Sequence, residues 1–377
     1  MVSHHFGRMS PVMRHHADVT VMTDRFRSQM LVGPPAVNPV EVVRRLLAVQ
    51  GQDPRGVRLA MRARTRGSTA ADVDRALGEE RSLLITWLNR GTLHLVCSED
   101  YFWLHALMAP PLVVGNARRL FQEGVTIAQS EQAVKLIESA LAAEGALTRD
   151  QLGKRLSAAA IPATGQALIH LLLKACLRGV AVRGPMVGRQ HAYVLVRDWL
   201  GPHRPVDRRV ALAELARRYL VGHGPAGERD LAVWSGLPLR DARAGLDSIS
   251  SSLEEHGGGL VGLVGPRRGR NMPSPRLLGS FDPLLMGWKS REAIVGEHRD
   301  VITVNGLFRP FALVAGRAAG TWRLAGGDVV LKPFADLAAE VVAALAEEAS
   351  DVGRYLGLQD PCLMIAGPSD GPRLGTL

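Results

Sequence analysis

Hydrophobic and polar positions between residues 38 and 98 follow a helical spacing first and an alternating spacing afterwards. Asn38-Pro39 is typical of a helix start, with an N-cap residue followed by a first-turn proline. Apolar residues then recur at helical spacing, which predicts helices over residues 38–49, 54–64 and 68–78. The stretch SLLITWLNRGTLHLVCS, residues 82–98, predicts a β-hairpin that turns at Asn89-Arg90-Gly91. A winged helix has this order of elements, in which helices are followed by a β-hairpin.

The same order of elements occurs twice more along the chain. The phrases GALTRDQL (145–152) and GPAGERDL (224–231) share a glycine, a capped first turn, an acidic residue and a leucine. After the first phrase, GQALIHLLLKACLRG predicts an apolar helix and VAVRGPMVGRQHAYVLV predicts two strands. After the second, the turn at 235–238 separates two helices at the spacing of a helix-turn-helix. We interpret these segments as a second and a third winged-helix module.

The pattern becomes β-rich after residue 257. Short apolar runs alternate with glycine turns and predict a meander or a small partial barrel, and the amphipathic segment 334–356 predicts a closing helix. The sequence therefore predicts an α+β fold with tandem winged-helix modules, three in number. We expect a disordered leader over 1–30, modules over 31–125, 126–206 and 207–265, and a β-rich segment with a C-terminal helix over 266–377.

Charge adds a partner class to this picture. The formal net charge is +10, and 46 residues are lysine or arginine. Five of these are lysines, which leaves 41 arginines (46 − 5). The planar fork of arginine suits phosphate oxygens and base edges, so nucleic acid is the expected partner. A bias set only by genome base composition explains the ratio of arginine to lysine but not the excess charge.

Other ligand classes have little support in the sequence. Cys97, Cys176 and Cys362 lie far apart without a CxxC spacing, which argues against a structural zinc, an iron–sulfur cluster or a disulfide framework. No run of 18 apolar residues predicts a membrane span, and the first 30 residues lack the apolar core of a signal peptide. We expect no metal and no organic cofactor, and a cytoplasmic protein associated with the nucleoid.

The most unusual chemistry lies in LLAVQGQDPRGVRLAMRAR, residues 46–64. Gly51 follows the last apolar residue as a helix stop would, and Pro54 favours extended geometry for the residue before it. If Gln50 ends the helix, Gln50 and Gln52 can face one site and offer uncharged carbonyl acceptors and NH₂ donors. The alternative is that both glutamines cap the helix end and contact solvent or backbone.

Arginines surround this glutamine pair in sequence. We expect DNA contacts from arginines on both sides of the break, at Arg45, Arg55, Arg58 and Arg62. The turn-rich stretch GPRRGRNMPSPR is either a wing that reaches phosphates or a solvated loop, and we favour contact through Arg267, Arg268 and Arg270. Asp282 and Lys289 are possible assisting residues for water activation, although a structural salt bridge is the alternative role for this acid.

The segment VVRRLLAVQGQDPRGVRLAMRAR resembles the first winged helix of the AlkZ-type DNA glycosylase family, which carries a Gln-x-Gln or Gln-x-Asp motif. The segments GPAGERDLAVWSGLP, GSFDPLLMGWKSRE and VNGLFRPFALVAGRAAGTW resemble later parts of that family in order and spacing. The resemblance implies tandem winged helices curved around a cleft, with Gln50 and Gln52 as the catalytic pair. Gly51 departs from the family, which usually has a small aliphatic residue between the two.

The family implies hydrolysis of bulky N7-alkylpurine lesions in double-stranded DNA, including interstrand crosslinks. Neutral side chains suit this chemistry, because a guanine alkylated at N7 already carries positive charge and leaves without an enzyme proton. What remains is to stabilise the sugar cation and to position a water. The first lysine is Lys135, so a Schiff base in the first module is not expected, and a monofunctional glycosylase is favoured.

The predicted function is thus a monomeric DNA glycosylase that serves DNA repair or self-resistance to a genotoxic natural product. The alternative is a winged-helix transcriptional regulator without catalysis. Composition and the number of modules fit both functions. A regulator usually carries a dimerisation helix, however, and the sequence shows no clear heptad seam for one.

Overall fold

The computed structural model describes residues 11–188, 190–265, 271–359 and 361–366. Helices dominate the first part of the chain and enclose a short hairpin. These elements are α1 (Pro11–Ser28), α2 (Pro39–Leu46), β1 (Val49–Gln50), α3 (Pro54–Arg62), α4 (Ala70–Gly78), β2 (Leu83–Leu88), β3 (Thr92–Cys97) and α5 (Tyr101–Gln122). The predicted hairpin is confirmed, and its strands join through a 3-10 turn at Asn89–Gly91.

Two further helical segments follow. The first consists of α6 (Ile127–Glu144), α7 (Arg149–Ala158), α8 (Gly165–Leu177), β4 (Ala181–Val187), β5 (Gln190–Leu195) and α9 (Val196–Leu200). The second consists of α10 (Arg208–His223), α11 (Glu228–Ser235), α12 (Leu239–Asp247), β6 (Leu253–Gly257) and β7 (Leu260–Leu263). The predicted turn at 235–238 separates α11 from α12, as expected. None of the described helices is long and apolar enough to cross a bilayer.

The last part of the described chain is the predicted meander with its closing helix. It comprises β8 (Arg276–Leu278), α13 (Pro283–Met286), α14 (Glu292–Val295), β9 (Phe311–Val314), β10 (Arg317–Ala325), β11 (Asp328–Pro333), α15 (Ala339–Leu356) and β12 (Leu363–Ile365). Strands β8 to β11 pair antiparallel in chain order, and β12 adds to β11 in parallel. Helix α15 buries Leu345, Ala349 and Val352 against this sheet.

The first two hairpins form one sheet rather than two separate wings. Its strand order is β1-β3-β2-β4-β5, and Ile85 of β2 pairs with Arg183 of β4 across the junction. The two faces of this sheet belong to different hydrophobic cores. Ile85 and Leu95 pack in the core built with α6 to α8, whereas Leu84 and Val96 pack in the core built with α10 to α13. The sheet therefore joins the helical layers on both of its sides.

The predicted disordered leader is wrong for the part that the structure describes. Residues Pro11–Ser28 form α1, and Phe26 near its end is fully buried. Arg25 donates to the carbonyl of Pro225 at 3.0 Å, and Ser28 donates to the carbonyl of Gly224 at 2.8 Å. These contacts fix α1 to the loop after α10. Residues 1–10 of the predicted leader lie outside the described residues.

Helix α2 also ends earlier than predicted. It ends at Leu46, because Leu47 adopts a left-handed φ of 68° that breaks the helix. The chain then turns into β1, where Val49 pairs with Leu95 and Gln50 pairs with His94 of β3. Gln50 is therefore a strand residue and not the last residue of a helix.

A buried ion pair ties α3 to the C-terminal part of the chain. Both guanidinium nitrogens of Arg64 donate to Asp282, at 2.8 and 2.9 Å, and both side chains are fully buried. Arg64 also donates to the carbonyls of Gln29 and Ala60. Asp282 accepts from the backbone N–H of Leu284 and caps α13. Every ionic group in this cluster thus has partners, which is what burial of a charged pair requires.

Replacing Arg64 tests how much the fold depends on this pair. Arg64→Met leaves the Asp282 carboxylate buried without a cation, so we expect a loss of about 3–5 kcal/mol in the free energy of unfolding. Urea unfolding of the purified proteins measures it. The control is Arg75→Met, since Arg75 forms exposed pairs with Asp72 and Glu80, and it should change stability little. Equal effects of the two substitutions would contradict a special role for Arg64.

Candidate active site

The two glutamines lie in direct contact. The Nε2 of Gln50 donates to the Oε1 of Gln52 at 2.7 Å. Gln50 is buried, with 5 % of its surface exposed, whereas Gln52 is exposed. The pair therefore extends from the interior to the surface, and the Gln52 carbonyl keeps a second lone pair for a further donor.

The position of Gln50 follows from the strand register. Gln50 pairs with His94 on β3, and His94 pairs with Thr86 on β2. Paired residues of antiparallel strands project from the same face, so these side chains form a polar row across the sheet. The row faces the core that contains Trp234 of α11 and Leu285 of α13.

A narrow cavity lies at the inner end of the glutamine pair. It has room for roughly one water molecule. Its wall combines side chains from β1 to β3 with others from α10, α11 and α13: Gln50, Asn89, His94, His223, Trp234 and Met286. The Oε1 of Gln50 and both polar atoms of the Asn89 side chain are buried without a protein hydrogen-bond partner. The cavity is thus small and has polar groups with unused hydrogen-bonding capacity.

The two histidines of the cavity wall are neutral. Burial lowers the pKa of His94 to about 4 and the pKa of His223 to about 3. The Nδ1 of His94 lies 2.9 Å from the carbonyl of Thr92 and carries the proton, which leaves its Nε2 as an acceptor. His223 receives a hydrogen bond on Nδ1 from Gln29 at 2.7 Å and donates from Nε2 to the carbonyl of Leu46. His223 is therefore a scaffold residue with both nitrogens in use.

The turn between α11 and α12 lies against the turn between β2 and β3, and this contact completes the cavity wall. Gly236, between α11 and α12, has a φ of 76°, and a Cβ atom there would lie 2.8 Å from the backbone nitrogen of Arg90. Only glycine permits this contact without displacement. Arg90 donates to the carbonyl of Val233 at 2.8 Å, and burial of its guanidinium lowers its pKa. An arginine thus stands beside the glutamine site, held by α11.

The four arginines predicted to contact DNA near the glutamines differ in exposure. Arg55 is exposed and lies three residues after Gln52. Arg45 is half-buried and donates to the carbonyl of Ser28 at 3.4 Å. Arg58 is buried and paired with Asp74. Of the four, Arg55 has the most accessible charge.

Arg62 is too deeply buried to contact DNA. Its side chain is 1 % exposed and pairs with Glu348 at 2.8 Å and Asp351 at 2.9 Å. It also donates to the carbonyl of Leu277. We therefore remove Arg62, together with the buried Arg58, from the predicted DNA contacts, because their guanidinium groups are used to attach α3 to α15 and α4.

The predicted assisting pair is not assembled at the glutamines. Asp282 is fully buried, and Arg64 and the N–H of Leu284 bind its carboxylate, so the alternative role as a structural salt bridge is the one observed. Lys289 is exposed, and its backbone N–H donates to Asp230. The predicted wing arginines Arg267, Arg268 and Arg270 lie outside the described residues.

The described residues include one cluster that could hold a metal ion, at Cys97, Glu99 and Asp100. Burial raises the pKa of the Cys97 thiol to about 12, and the thiol donates to the carbonyl of Val40 at 3.8 Å. Arg44 binds Glu99, and Arg218 binds Asp100 at 2.8 Å. The cluster is therefore better explained as an ion-paired surface than as a metal centre.

Sequence reasoning did not identify Asn89, Arg90 or His94 as parts of this site. Asn89 and Arg90 occupy a hairpin turn, where asparagine and glycine are common for conformational reasons alone. The one available indication was their position opposite the glutamines in a winged-helix hairpin. That indication requires the register of β1, which is too short to predict.

Three comparisons with known proteins give matches over most of the chain. The family model described as DNA glycosylase AlkZ-like matches residues 43–355. A Streptomyces sahachiroi protein named interstrand DNA cross-link repair glycosylase is 26 % identical over 358 residues, which are 89 % of this chain and 95 % of that protein. The structure of Streptomyces sahachiroi DNA glycosylase AlkZ superposes with a TM-score of 0.78 and 25 % identity, covering 92 % of this chain and 99 % of that one.

Gly51 tests the geometry of the glutamine pair. A Cβ atom at Gly51 would meet its neighbours at 3.6–3.8 Å, which is ordinary contact, and the backbone there needs no left-handed φ. We expect Gly51→Ala to raise the free energy of unfolding by about 0.4–1 kcal/mol, because alanine restricts the unfolded chain. Thermal unfolding measures this effect. Gly236→Ala is the control and should destabilise; a destabilised Gly51→Ala would show that the position is tighter than described.

Proposed function

Because the chain belongs to the DNA glycosylase AlkZ-like family, we propose that it hydrolyses the N-glycosidic bond of bulky N7-alkylguanine in double-stranded DNA, interstrand crosslinks included. The contact between a buried and an exposed glutamine, 2.7 Å from donor to acceptor, carries this proposal. It puts two uncharged amides between a narrow cavity, which Gln50 lines, and the solvent, to which Gln52 is exposed. The alternative of a regulator without catalysis is not favoured, since the similar proteins are glycosylases over nearly their whole length.

The difference in exposure between the two glutamines suggests that they have different roles. Gln52 is the catalytic residue: its carbonyl accepts one hydrogen bond from Gln50 and receives a second from the water that attacks the sugar. Its oxygen also faces the positive charge that develops on the sugar ring in the transition state. Gln50 holds Gln52 in place. An N7-alkylated guanine departs as a neutral base, so no side chain has to donate a proton.

On this proposal, the absence of a proton donor in the glutamine pair also explains why alkylated guanine is selected over unmodified guanine. An unmodified guanine is a poor leaving group and needs protonation, which two amides cannot provide. One oriented hydrogen bond of this type contributes about 3 kcal/mol, or roughly a hundredfold in rate. That contribution suffices only where the lesion has already activated the bond. The protein is therefore a monofunctional hydrolase that leaves an abasic site.

The proposed architecture is three winged-helix modules, 31–125, 126–206 and 207–265, curved around a cleft for DNA, and a β-rich segment with a C-terminal helix, which we assign to 266–377. The element order of each module supports this division. The shared sheet of the first two modules supports a fixed orientation between them. We place the protein with the bacterial nucleoid as a monomer that repairs alkylation or protects a producer of a genotoxic natural product.

The glutamine pair can be tested with N7-methylguanine DNA. Wild-type protein should release free base and leave alkali-labile sites, and Gln52→Ala should slow release by about a hundredfold. Gln50→Ala should slow it as well, because Gln52 loses its donor. Gln122→Ala, an exposed glutamine at the end of α5, is the control and should retain activity. Unchanged release by the Gln50→Ala, Gln52→Ala double variant would exclude the glutamines from the mechanism.

Arg55 tests the DNA path near the site. Arg55→Ala should weaken binding to undamaged duplexes of any sequence and reduce the slope of log K against log salt concentration by about one. Fluorescence anisotropy over a salt series measures both. Arg75→Ala is the matched control, since Arg75 is also exposed but is ion-paired with Asp72 and Glu80. A salt slope that does not change in Arg55→Ala would remove this arginine from the DNA path.

A further inference from the structure

Asn89 is an unusual residue for its environment. It lies in the turn between β2 and β3 and is 1 % exposed. Its side-chain nitrogen and oxygen are both buried without a protein hydrogen-bond partner. Burying a polar group without a hydrogen-bond partner is destabilising, because the group loses its hydrogen bonds to water. Asn89 therefore lowers the stability of the protein unless another molecule satisfies its amide.

The cavity beside Asn89 provides the space for such a molecule. Asn89, Gln50 and His94 line the same cavity, which has room for roughly one water. A water there can donate to the Oε1 of Gln50 and to the Nε2 of His94, both of which are acceptors. It can accept from the Nδ2 of Asn89. A buried water typically makes about three hydrogen bonds, so this set is sufficient to hold one.

We infer that Asn89 is a positioning residue that, through one water shared with His94, fixes the orientation of the Gln50 carboxamide. With its oxygen bound to that water, Gln50 directs its NH₂ group outwards to Gln52. Without that bond, the amide can rotate and present its oxygen to the oxygen of Gln52, which breaks the donor–acceptor contact. This inference rests on the proposed function for its effect on rate, and on the structure alone for its geometry.

The site is chemically matched to water and not to a nucleobase. The cavity is far smaller than a purine, and its polar atoms include acceptors on Gln50 and His94 with one donor on Asn89. His94 stays neutral because burial lowers its pKa to about 4, so it remains an acceptor at neutral pH. The water is therefore a fixed part of the structure and is distinct from the nucleophile, which Gln52 meets at the surface.

Two substitutions separate positioning from packing. Asn89→Leu fills the space with an apolar group, and Asn89→Ala leaves room for a second water that replaces the amide. We expect single-turnover release from N7-methylguanine DNA to slow by at least about tenfold in Asn89→Leu and less in Asn89→Ala. A residue that acts only by packing gives the opposite order, because alanine leaves the larger cavity.

Binding and stability measurements complete the test. Asn89→Leu should bind abasic DNA as tightly as wild type and unfold cooperatively, so that a slower rate does not reflect a loss of folded protein. Tyr101→Phe is the matched control: the Tyr101 hydroxyl is also buried without a protein hydrogen-bond partner, but Tyr101 does not line the cavity. Its rate should not change. A rate in Asn89→Leu close to that of wild type, or a loss that merely follows a lower melting temperature, overturns the inference.

A high-resolution crystal structure of the wild-type protein gives a result that does not depend on activity. We expect one ordered water within hydrogen-bond distance of Gln50 Oε1, Asn89 and His94 Nε2. An empty cavity overturns the role of Asn89 even if the glutamines prove catalytic. If wild type releases no N7-alkylguanine but the water is present, the proposed function fails while the positioning geometry stands.

Discussion

The buried pair of Arg64 and Asp282 is the constraint on which the site depends. It joins residues 218 positions apart in sequence and leaves no ionic group exposed. Arg64 follows α3, whose other end lies just beyond the glutamines, and Asp282 caps α13, which supplies Met286 to the cavity wall. The same cluster reaches His223 through Gln29. A single fully satisfied ion pair thus sets the distance between the strand that carries Gln50 and the layer behind it.

Arginine has two separate uses in this molecule. Three arginines lie in or directly after α3, and each pairs with a carboxylate of the protein: Arg58, Arg62 and Arg64. Their planar groups carry five N–H donors in a fixed fork, so one side chain can bind a carboxylate and backbone carbonyls together. Arg55, at the start of the same helix, is left exposed. The high arginine content therefore reflects interior architecture as well as affinity for nucleic acid, and net charge alone overstates the DNA-binding surface.

Much of the local structure could be predicted from the sequence, and the errors have identifiable causes. The hairpin at residues 83–97 and the helices around 235–238 follow from strong periodicity and turn residues, and the structure contains them. β1 could not be predicted, because two residues are too short for an alternating pattern and the strand exists only through pairing with β3. The convergence of Gln50 and Gln52 was expected, but from a helix end and not from a strand.

The burial of Arg62 could not be predicted either, because its partners lie nearly 300 positions later in the chain. The same limit applies to Asn89. A turn asparagine is ordinary in sequence, and its unused hydrogen-bonding groups become visible only when α10, α11 and α13 close over it. The features of the site that depend on long-range packing are those that the sequence leaves open. They are also the features that distinguish this pair of glutamines from any other.

The wide sequence separation of the cavity wall has a consequence for biosynthesis. Gln50 and His94 leave the ribosome long before His223, Trp234 and Met286, which close the cavity behind them. At translation speeds of about 5–20 residues per second, on the order of ten seconds pass between the synthesis of the glutamines and the synthesis of the residues that close the cavity. A premature stop between Gln52 and Asp282 therefore yields a polypeptide that has the glutamine motif but lacks the Arg64–Asp282 ion pair.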